Sequence, residues 1–191
     1  DPHHALAQGW AGRALFEAGR PGPAEARLRR AIALEPRFWI ARMWLAEALR
    51  ASGKKAAAKA LLAETLTIKK TTPWAHFLLA SFAHDEGKPA LAEKELEMAL
   101  LLDGKYPDAY LLLSQVRLER GNAKGALVAA QRCVDIAANL GRAYVARAAV
   151  YAALGRATES LADYKKILVE FPYLLNDEQR KQAESLLAVQ A

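Results

Sequence analysis

The apolar residues of this chain recur at spacings of three and four, the period of one buried face of an α-helix. Residues 44–62, WLAEALRASGKKAAAKALL, contain two such runs separated by a single glycine, Gly53. A glycine in the left-handed conformation caps a helix C-terminus without a Cβ clash. The pattern therefore predicts that one helix ends at Gly53 and that the chain turns back into a second helix.

The hairpin pattern repeats every 34 residues along the chain. Glycine returns at that interval as Gly19, Gly53, Gly87, Gly121 and Gly155. If each glycine is position fifteen, five repeats follow, at 5–38, 39–72, 73–106, 107–140 and 141–174. Position three is always alanine, and positions eight and twenty are always small, as with Gly12 and Ala24 in repeat one. Small residues let antiparallel helices approach closely, so positions eight and twenty predict the crossing within each hairpin.

Short segments flank the five repeats. Residues 1–4 are expected to form an N-terminal tail. Residues 175–191 predict a capping helix that shields the end of the array, with Asn176 as a suitable N-cap and a narrow apolar face further along. The chain begins at Asp1 without a start methionine or a signal-peptide pattern. We therefore expect a fragment or a processed product, preceded by a segment such as a membrane anchor or signal.

A 34-residue helix–turn–helix unit with these small positions and a proline at position thirty-two resembles the tetratricopeptide repeat (TPR). Pro36 and Pro172 occupy position thirty-two in repeats one and five. The family's tryptophan at position four is missing, and the residues there are Gln8, Arg42, His76, Tyr110 and Tyr144. The resemblance covers most of the chain. It implies an all-α fold, a right-handed α-solenoid forming a single array over 5–174.

The resemblance also implies that the first helix of each repeat lines a concave groove. Positions two, five, six, nine and twelve share that face by helical spacing. In repeats one to three the face is aromatic, and the candidate partner-binding residues are Trp10, Arg13, Phe16, Met43, Trp44, Glu47, Arg50, Trp74, Phe77 and Leu78. Tryptophan and arginine are typical hot-spot residues at interfaces. The alternative, which the sequence leaves open, is that position six packs between adjacent hairpins and the tryptophans are core.

One specific mode of TPR recognition is not expected. Chaperone-binding TPR domains resemble one another in a clamp of lysine, asparagine and arginine that holds a peptide's terminal carboxylate. The matching positions here carry Gly9, Arg13, Trp44, Trp74 and Leu78. These residues do not form such a clamp, so recognition should depend on apolar burial.

The sequence shows no catalytic or metal-binding constellation. His76 and His84 lie two helical turns apart, about 12 Å by helical rise, which is too far to share a metal ion. The single cysteine, Cys133, falls within a helical apolar pattern and is interpreted as a small buried side chain. We therefore expect no enzyme activity, no cofactor and no metal.

The charge of the chain restricts its partners only weakly. Twenty-seven Lys and Arg against 21 Asp and Glu give a net charge of +6, which permits an acidic partner without requiring one. We expect no nucleic-acid partner. No apolar run of about 18 residues is free of charges, so the fragment itself should not insert into a membrane.

These patterns together predict a non-catalytic protein–protein interaction scaffold that binds another protein or a peptide segment. The alanine- and arginine-rich composition is typical of bacteria. Similar bacterial TPR proteins serve envelope assemblies such as pilus, exopolysaccharide export or cytochrome maturation machines. Two alternatives remain open, a self-associating homo-oligomer and a regulatory TPR domain of a larger, membrane-anchored protein. A cytoplasmic and a periplasmic location both fit.

Overall fold

A computed structural model of the chain describes residues 2–175 together with residues 180, 181 and 184. Over these residues the chain forms ten α-helices and no strand. The helices are α1 (Pro2–Glu17), α2 (Pro21–Leu34), α3 (Trp39–Ala51), α4 (Lys55–Ile68), α5 (Pro73–Asp85), α6 (Pro89–Leu102), α7 (Pro107–Glu119), α8 (Ala123–Ile136), α9 (Gly141–Ala153) and α10 (Ala157–Glu170). A short 3-10 turn, Pro172–Leu174, follows α10. The predicted all-α class is confirmed.

The five repeat glycines make the turns that the sequence predicts. Each has a positive φ, between 68° and 76°, and each follows an odd-numbered helix. At Gly53 the backbone N–H donates to the carbonyl of Arg50 at 2.9 Å, and the N–H of Lys54 donates to the carbonyl of Leu49 at 2.8 Å. The same pair of bonds closes the other four turns, which satisfies carbonyls left open at the end of each helix. The 34-residue frame is therefore confirmed.

The predicted crossing points lie where the small residues are. A Cβ added to Gly12 would lie 2.6 Å from Cγ of Leu28 and 3.2 Å from the carbonyl oxygen of Ala24. In the last hairpin the hydroxyl of Ser160 donates to the carbonyl of Ala148 at 2.9 Å. Positions eight and twenty thus meet within these hairpins, and a larger side chain at Gly12 would separate α1 from α2.

The chain divides into two compact parts, an N-terminal module (residues 1–82) and a C-terminal module (residues 83–191). The N-terminal module buries completely or almost completely the side chains of Leu28, Met43, Leu45, Leu49, Leu62 and Phe82. The C-terminal module buries those of Leu96, Val116, Val150 and Ile167 in the same way. In the second module the rings of Tyr144 and Phe171 stack, with centroids 6.1 Å apart.

The two ends of the chain differ in how far the structure describes them. Helix α1 begins at Pro2, so His3 and His4, which were expected in a tail, lie on the helix. Proline suits the first turn of a helix because its missing N–H would have no intrahelical partner there. The predicted capping helix at 175–191 lies mostly outside the described residues. None of the described helices is both long enough and apolar enough to cross a membrane.

Candidate partner-binding surface

Trp10 is the most exposed of the ten candidate residues. Its side chain is 62% exposed, although its ring contacts the ring of Trp44 with centroids 4.9 Å apart and a 54° angle between planes. Trp44 occupies the same position of the next repeat and is only 7% exposed. The ring of Phe38 lies edge-on to Trp44, with centroids 6.3 Å apart, and helps to cover it. In the part of the chain that the structure describes, no helix precedes α1 to cover Trp10 in the same way.

A charged network lies beside these rings and joins three helices. Arg13 on α1 donates through Nη1 to Oε2 of Glu47 on α3 at 2.5 Å. The indole N–H of Trp74 on α5 donates to the other oxygen of Glu47 at 3.3 Å. Arg13 also donates through Nε to Glu17 at 2.8 Å. Glu47 therefore holds the first helices of repeats one to three in register through a single carboxylate.

The ionisation of Arg13 follows from these contacts. Burial alone would lower the pKa of Arg13, but its hydrogen bonds to Glu17 and Glu47 outweigh that effect and the pKa rises. The guanidinium is charged and already neutralised by two carboxylates. The surface beside Trp10 thus offers a partner no free positive charge, and apolar contact is its main contribution.

Three candidate residues belong to the core. Met43, Trp44 and Leu78 are 0%, 7% and 3% exposed, and all three lie in the apolar cluster of the N-terminal module. The side of the helix that carries positions five and six packs against the neighbouring hairpin. The expectation that these three residues line an open groove is therefore corrected in favour of the core interpretation.

The other candidates are half-buried. Phe16, Trp74 and Phe77 pack against the apolar cluster. The guanidinium of Arg13 lies 5.7 Å from the ring centre of Phe16, and that of Arg50 lies 5.7 Å from the ring centre of Phe82. The structure thus brings Trp10, Arg13, Trp44, Glu47 and Trp74 together, with Phe16 beside them.

Two further residues belong to this surface: Leu6, at position two of the predicted face, and Phe38, which sequence reasoning missed. Leu6, one turn before Trp10, is 45% exposed, and Phe38 supports Trp44 from the turn between α2 and α3. A Cβ on Gly9 would lie 2.9 Å from Cε1 of Phe38, so the position of the ring depends on a glycine in α1. A glycine inside a helix lowers helix stability. Its presence at position 9 was therefore the sequence signal that another side chain approaches the helix closely there.

The cysteine and the potential metal ligands show no reactive arrangement among the described residues. Cys133 is buried, which confirms its interpretation from the sequence, and its thiol lies 3.4 Å from the carbonyl oxygen of Pro107. Burial raises the pKa of Cys133 to about 11, which keeps it a thiol near neutral pH. Within residues 2–175, 180, 181 and 184, no three His, Cys, Asp or Glu side chains are grouped so that they could hold a metal ion.

Comparisons with known proteins agree on the fold. Residues 15–82 match the family model described as tetratricopeptide repeat. No curated protein matches the chain by sequence. The solved structure of PilF from Pseudomonas aeruginosa has a TM-score of 0.82 and 16% identity, covering 96% of this chain and 89% of PilF. TTC0263, a thermophilic TPR protein of Thermus thermophilus, has a TM-score of 0.75 and 20% identity, covering 96% of this chain and 99% of that one.

A third solved structure is MamA from Desulfovibrio magneticus RS-1, with a TM-score of 0.70 and 15% identity, covering 86% of this chain and 93% of that one. At these identities the likeness shows a shared fold of stacked helical hairpins. The family match, the five glycine turns and the 34-residue frame agree with it. Residues 15–82 therefore match the tetratricopeptide-repeat family, and the described chain as a whole has the fold of TPR structures.

Proposed function

We propose that this chain is a non-catalytic scaffold that binds a segment of a partner protein on the face of α1, α3 and α5 around Trp10. The TPR fold is in general a non-enzymatic module for protein interaction. The observation that carries the proposal is the exposure of Trp10, a residue that is 62% exposed while its ring contacts a buried tryptophan. A large exposed ring on a rigid support is typical of an interface hot spot.

The partner would bind this surface mainly through apolar contact. Trp10 and Leu6 offer exposed apolar area on successive turns of α1. Arg13 and Glu47 form a rim whose charges already neutralise each other. Because Arg13 also contacts Glu17, a terminal carboxylate from the partner would have to displace existing bonds. An apolar side chain of the partner packed against Trp10 fits the surface better.

The proposal includes a role within a bacterial envelope assembly, such as a pilus, exopolysaccharide export or cytochrome maturation machine. It rests on the resemblance to bacterial TPR proteins and on solved structures of the same fold from Pseudomonas aeruginosa and Thermus thermophilus. In such an assembly the chain would hold one partner segment and leave the chemistry to other components.

The proposal is tested by affinity capture with wild type and Trp10→Ala, followed by mass spectrometry and titration of the captured segment as a labelled peptide. We expect Trp10→Ala to weaken peptide binding about thirtyfold, as truncation of a hot-spot residue does. Circular dichroism should be unchanged because the side chain is mostly exposed. Leu101→Ala, which removes a 78% exposed apolar side chain from α6, is the matched control. Equal binding by the two variants would move the site away from Trp10.

A further inference from the structure

The excess of positive over negative charge lies in the N-terminal module of the chain. Residues 1–82 carry thirteen Lys and Arg against six Asp and Glu, a net charge of +7. Residues 83–191 carry fourteen against fifteen, a net charge of −1. The net charge of +6 is therefore distributed unequally between the two modules. Any electrostatic attraction of an anionic partner originates in the first 82 residues.

Helix α2 carries much of this excess charge without neutralisation. Four exposed arginines lie on α2 or at its ends and take part in no ion pair among the described residues: Arg20, Arg27, Arg30 and Arg37. Arg20 is the N-cap residue of α2, and Arg37 lies in the turn that follows the helix. Arg27 donates only to the neutral side-chain oxygen of Gln8, at 3.1 Å.

Several other arginines of the chain are neutralised by carboxylates. Glu64 occupies in α4 the position that Arg30 has in α2, and it pairs with Arg42 at 3.0 Å. In the C-terminal module, Glu93 pairs with both Arg117 and Arg120. The unneutralised guanidiniums of α2 thus differ from these paired arginines. Like charges this close repel one another, and an anion placed between them would remove that repulsion.

We propose that the exposed face of α2 binds an acidic segment of a partner protein. Arg27 and Arg30 are three residues apart, about 4.5 Å along the helix axis. Alternate side chains of an extended acidic chain are about 6.7 Å apart, a difference that the long arginine side chains span. A guanidinium holds a carboxylate through two parallel hydrogen bonds, so these side chains suit carboxylates well.

The structure favours an acidic protein segment over two other anionic partners. A membrane surface would need large exposed apolar side chains beside the arginines, yet the exposed apolar side chains between them are prolines and alanines, such as Pro23, Ala26 and Ala33. The large exposed apolar residues of the N-terminal module are on α1 instead. A nucleic acid depends on many phosphate contacts, and four unpaired arginines supply too few for tight binding at physiological salt.

This surface is separate from the one around Trp10, because it lies on a second helix of a hairpin and not on the first helices. A partner could therefore be held by its apolar segment on α1 and by its acidic segment on α2, or two partners could bind at once. Variants on α2 test the second surface without altering the first.

The test uses the whole chain and a fluorescein-labelled peptide of alternating Glu and Ser, with its Gln-for-Glu analogue, measured by fluorescence anisotropy. We expect the acidic peptide to bind at about 50 mM salt, to weaken steeply at about 200 mM, and the analogue not to bind. The variant Arg27→Gln/Arg30→Gln should weaken binding about three- to tenfold, since it removes two exposed charged contacts. Trp10→Ala should bind the acidic peptide as wild type does.

The matched control is Lys124→Gln/Arg132→Gln on α8, which removes the same charge from two exposed residues of the C-terminal module that form no ion pair among the described residues. Unchanged binding by this control supports the assignment to α2. Equal weakening by the two double variants would mean that only net charge matters and would overturn the proposal. Tighter binding of duplex DNA or of phosphatidylserine vesicles than of the acidic peptide would overturn it as well.

Discussion

Arg147 departs from the apolar pattern of its repeat position. It occupies position seven on α9, where the three preceding repeats have Leu45, Leu79 and Leu113. The guanidinium is paired with the carboxylate of Asp163 on α10 at 2.5 and 2.8 Å, and it donates to Gln131 of α8 at 2.8 Å. The side chains of Arg147 and Asp163 are 15% and 6% exposed. An ion pair thus replaces apolar packing between these helices.

Replacing one partner of the ion pair should destabilise the fold strongly, whereas replacing both partners with leucine should change stability little. We expect Asp163→Leu alone to lower the free energy of unfolding by about 3–5 kcal/mol, because it leaves a buried guanidinium without its carboxylate. The double variant Arg147→Leu/Asp163→Leu copies Leu45 and Leu61, the residues at the same positions of the second repeat. Its stability should return to within about 1 kcal/mol of wild type.

Urea unfolding of the wild type, both single variants and the double variant completes the cycle. A double variant as unstable as Asp163→Leu would show that the pair contributes more than its apolar replacement. The hydrogen bond from Arg147 to Gln131 would then be the first contact to examine, because the double variant loses it.

At the scale of the helical elements, Gly53 isolates the effect of turn conformation from that of packing. Its φ is 75°, and a Cβ built on it would meet no atom within 4 Å. We expect Gly53→Val to destabilise the chain by about 1–3 kcal/mol, since a β-branched residue is strained at positive φ. Gly53→Asn should cost less, because asparagine tolerates the left-handed region. Thermal unfolding followed by circular dichroism measures both.

Gly104 provides the control for this prediction. It lies in the turn between α6 and α7, and its φ is not in the left-handed region. Gly104→Val should therefore change the melting temperature less than Gly53→Val. Similar losses at the two glycines would mean that conformational entropy of the unfolded chain, and not left-handed strain, accounts for the effect.

The helix boundaries were predictable from the sequence because their causes are local. Turns need glycine at positive φ and helix crossings need small residues, so both appear at fixed positions of the repeat. The even-numbered helices accordingly begin at residues 21, 55, 89, 123 and 157, at intervals of 34. Burial within the candidate surface was less predictable. Trp10 and Trp44 share one repeat position, yet the rings of Trp10 and Phe38 contact Trp44, which is 7% exposed, while Trp10 is 62% exposed. That difference depends on neighbours, not on the residue type.

The ion pair of Arg147 was missed for the same reason. Position seven is apolar in the four preceding repeats, and nothing near Arg147 in the sequence identifies Asp163 as its partner. A repeat pattern predicts which positions are buried. It does not predict which residue of another helix pairs with a charged side chain at such a position. The neutralised rim of Arg13 and Glu47 could be predicted more easily, since the two residues are separated by one repeat length.

At the scale of the whole molecule, the aromatic residues provide separate reporters for the two modules. All four tryptophans, Trp10, Trp39, Trp44 and Trp74, lie within residues 1–82, and residues 83–191 have none. Tryptophan fluorescence therefore reports on the N-terminal module. Far-ultraviolet circular dichroism reports on the helices of both modules.

The two signals should separate when the C-terminal module is destabilised. In a repeat protein each unit is stabilised mainly by its nearest neighbours, so a local loss need not unfold the rest. We expect Asp163→Leu to lower the urea midpoint measured by circular dichroism by more than the midpoint measured by tryptophan fluorescence. The chain with Arg147→Leu/Asp163→Leu is the control, and its two midpoints should stay near those of wild type. If the fluorescence and dichroism midpoints of Asp163→Leu coincide and fall together, the repeats unfold as one cooperative unit and the division into two modules has no counterpart in stability.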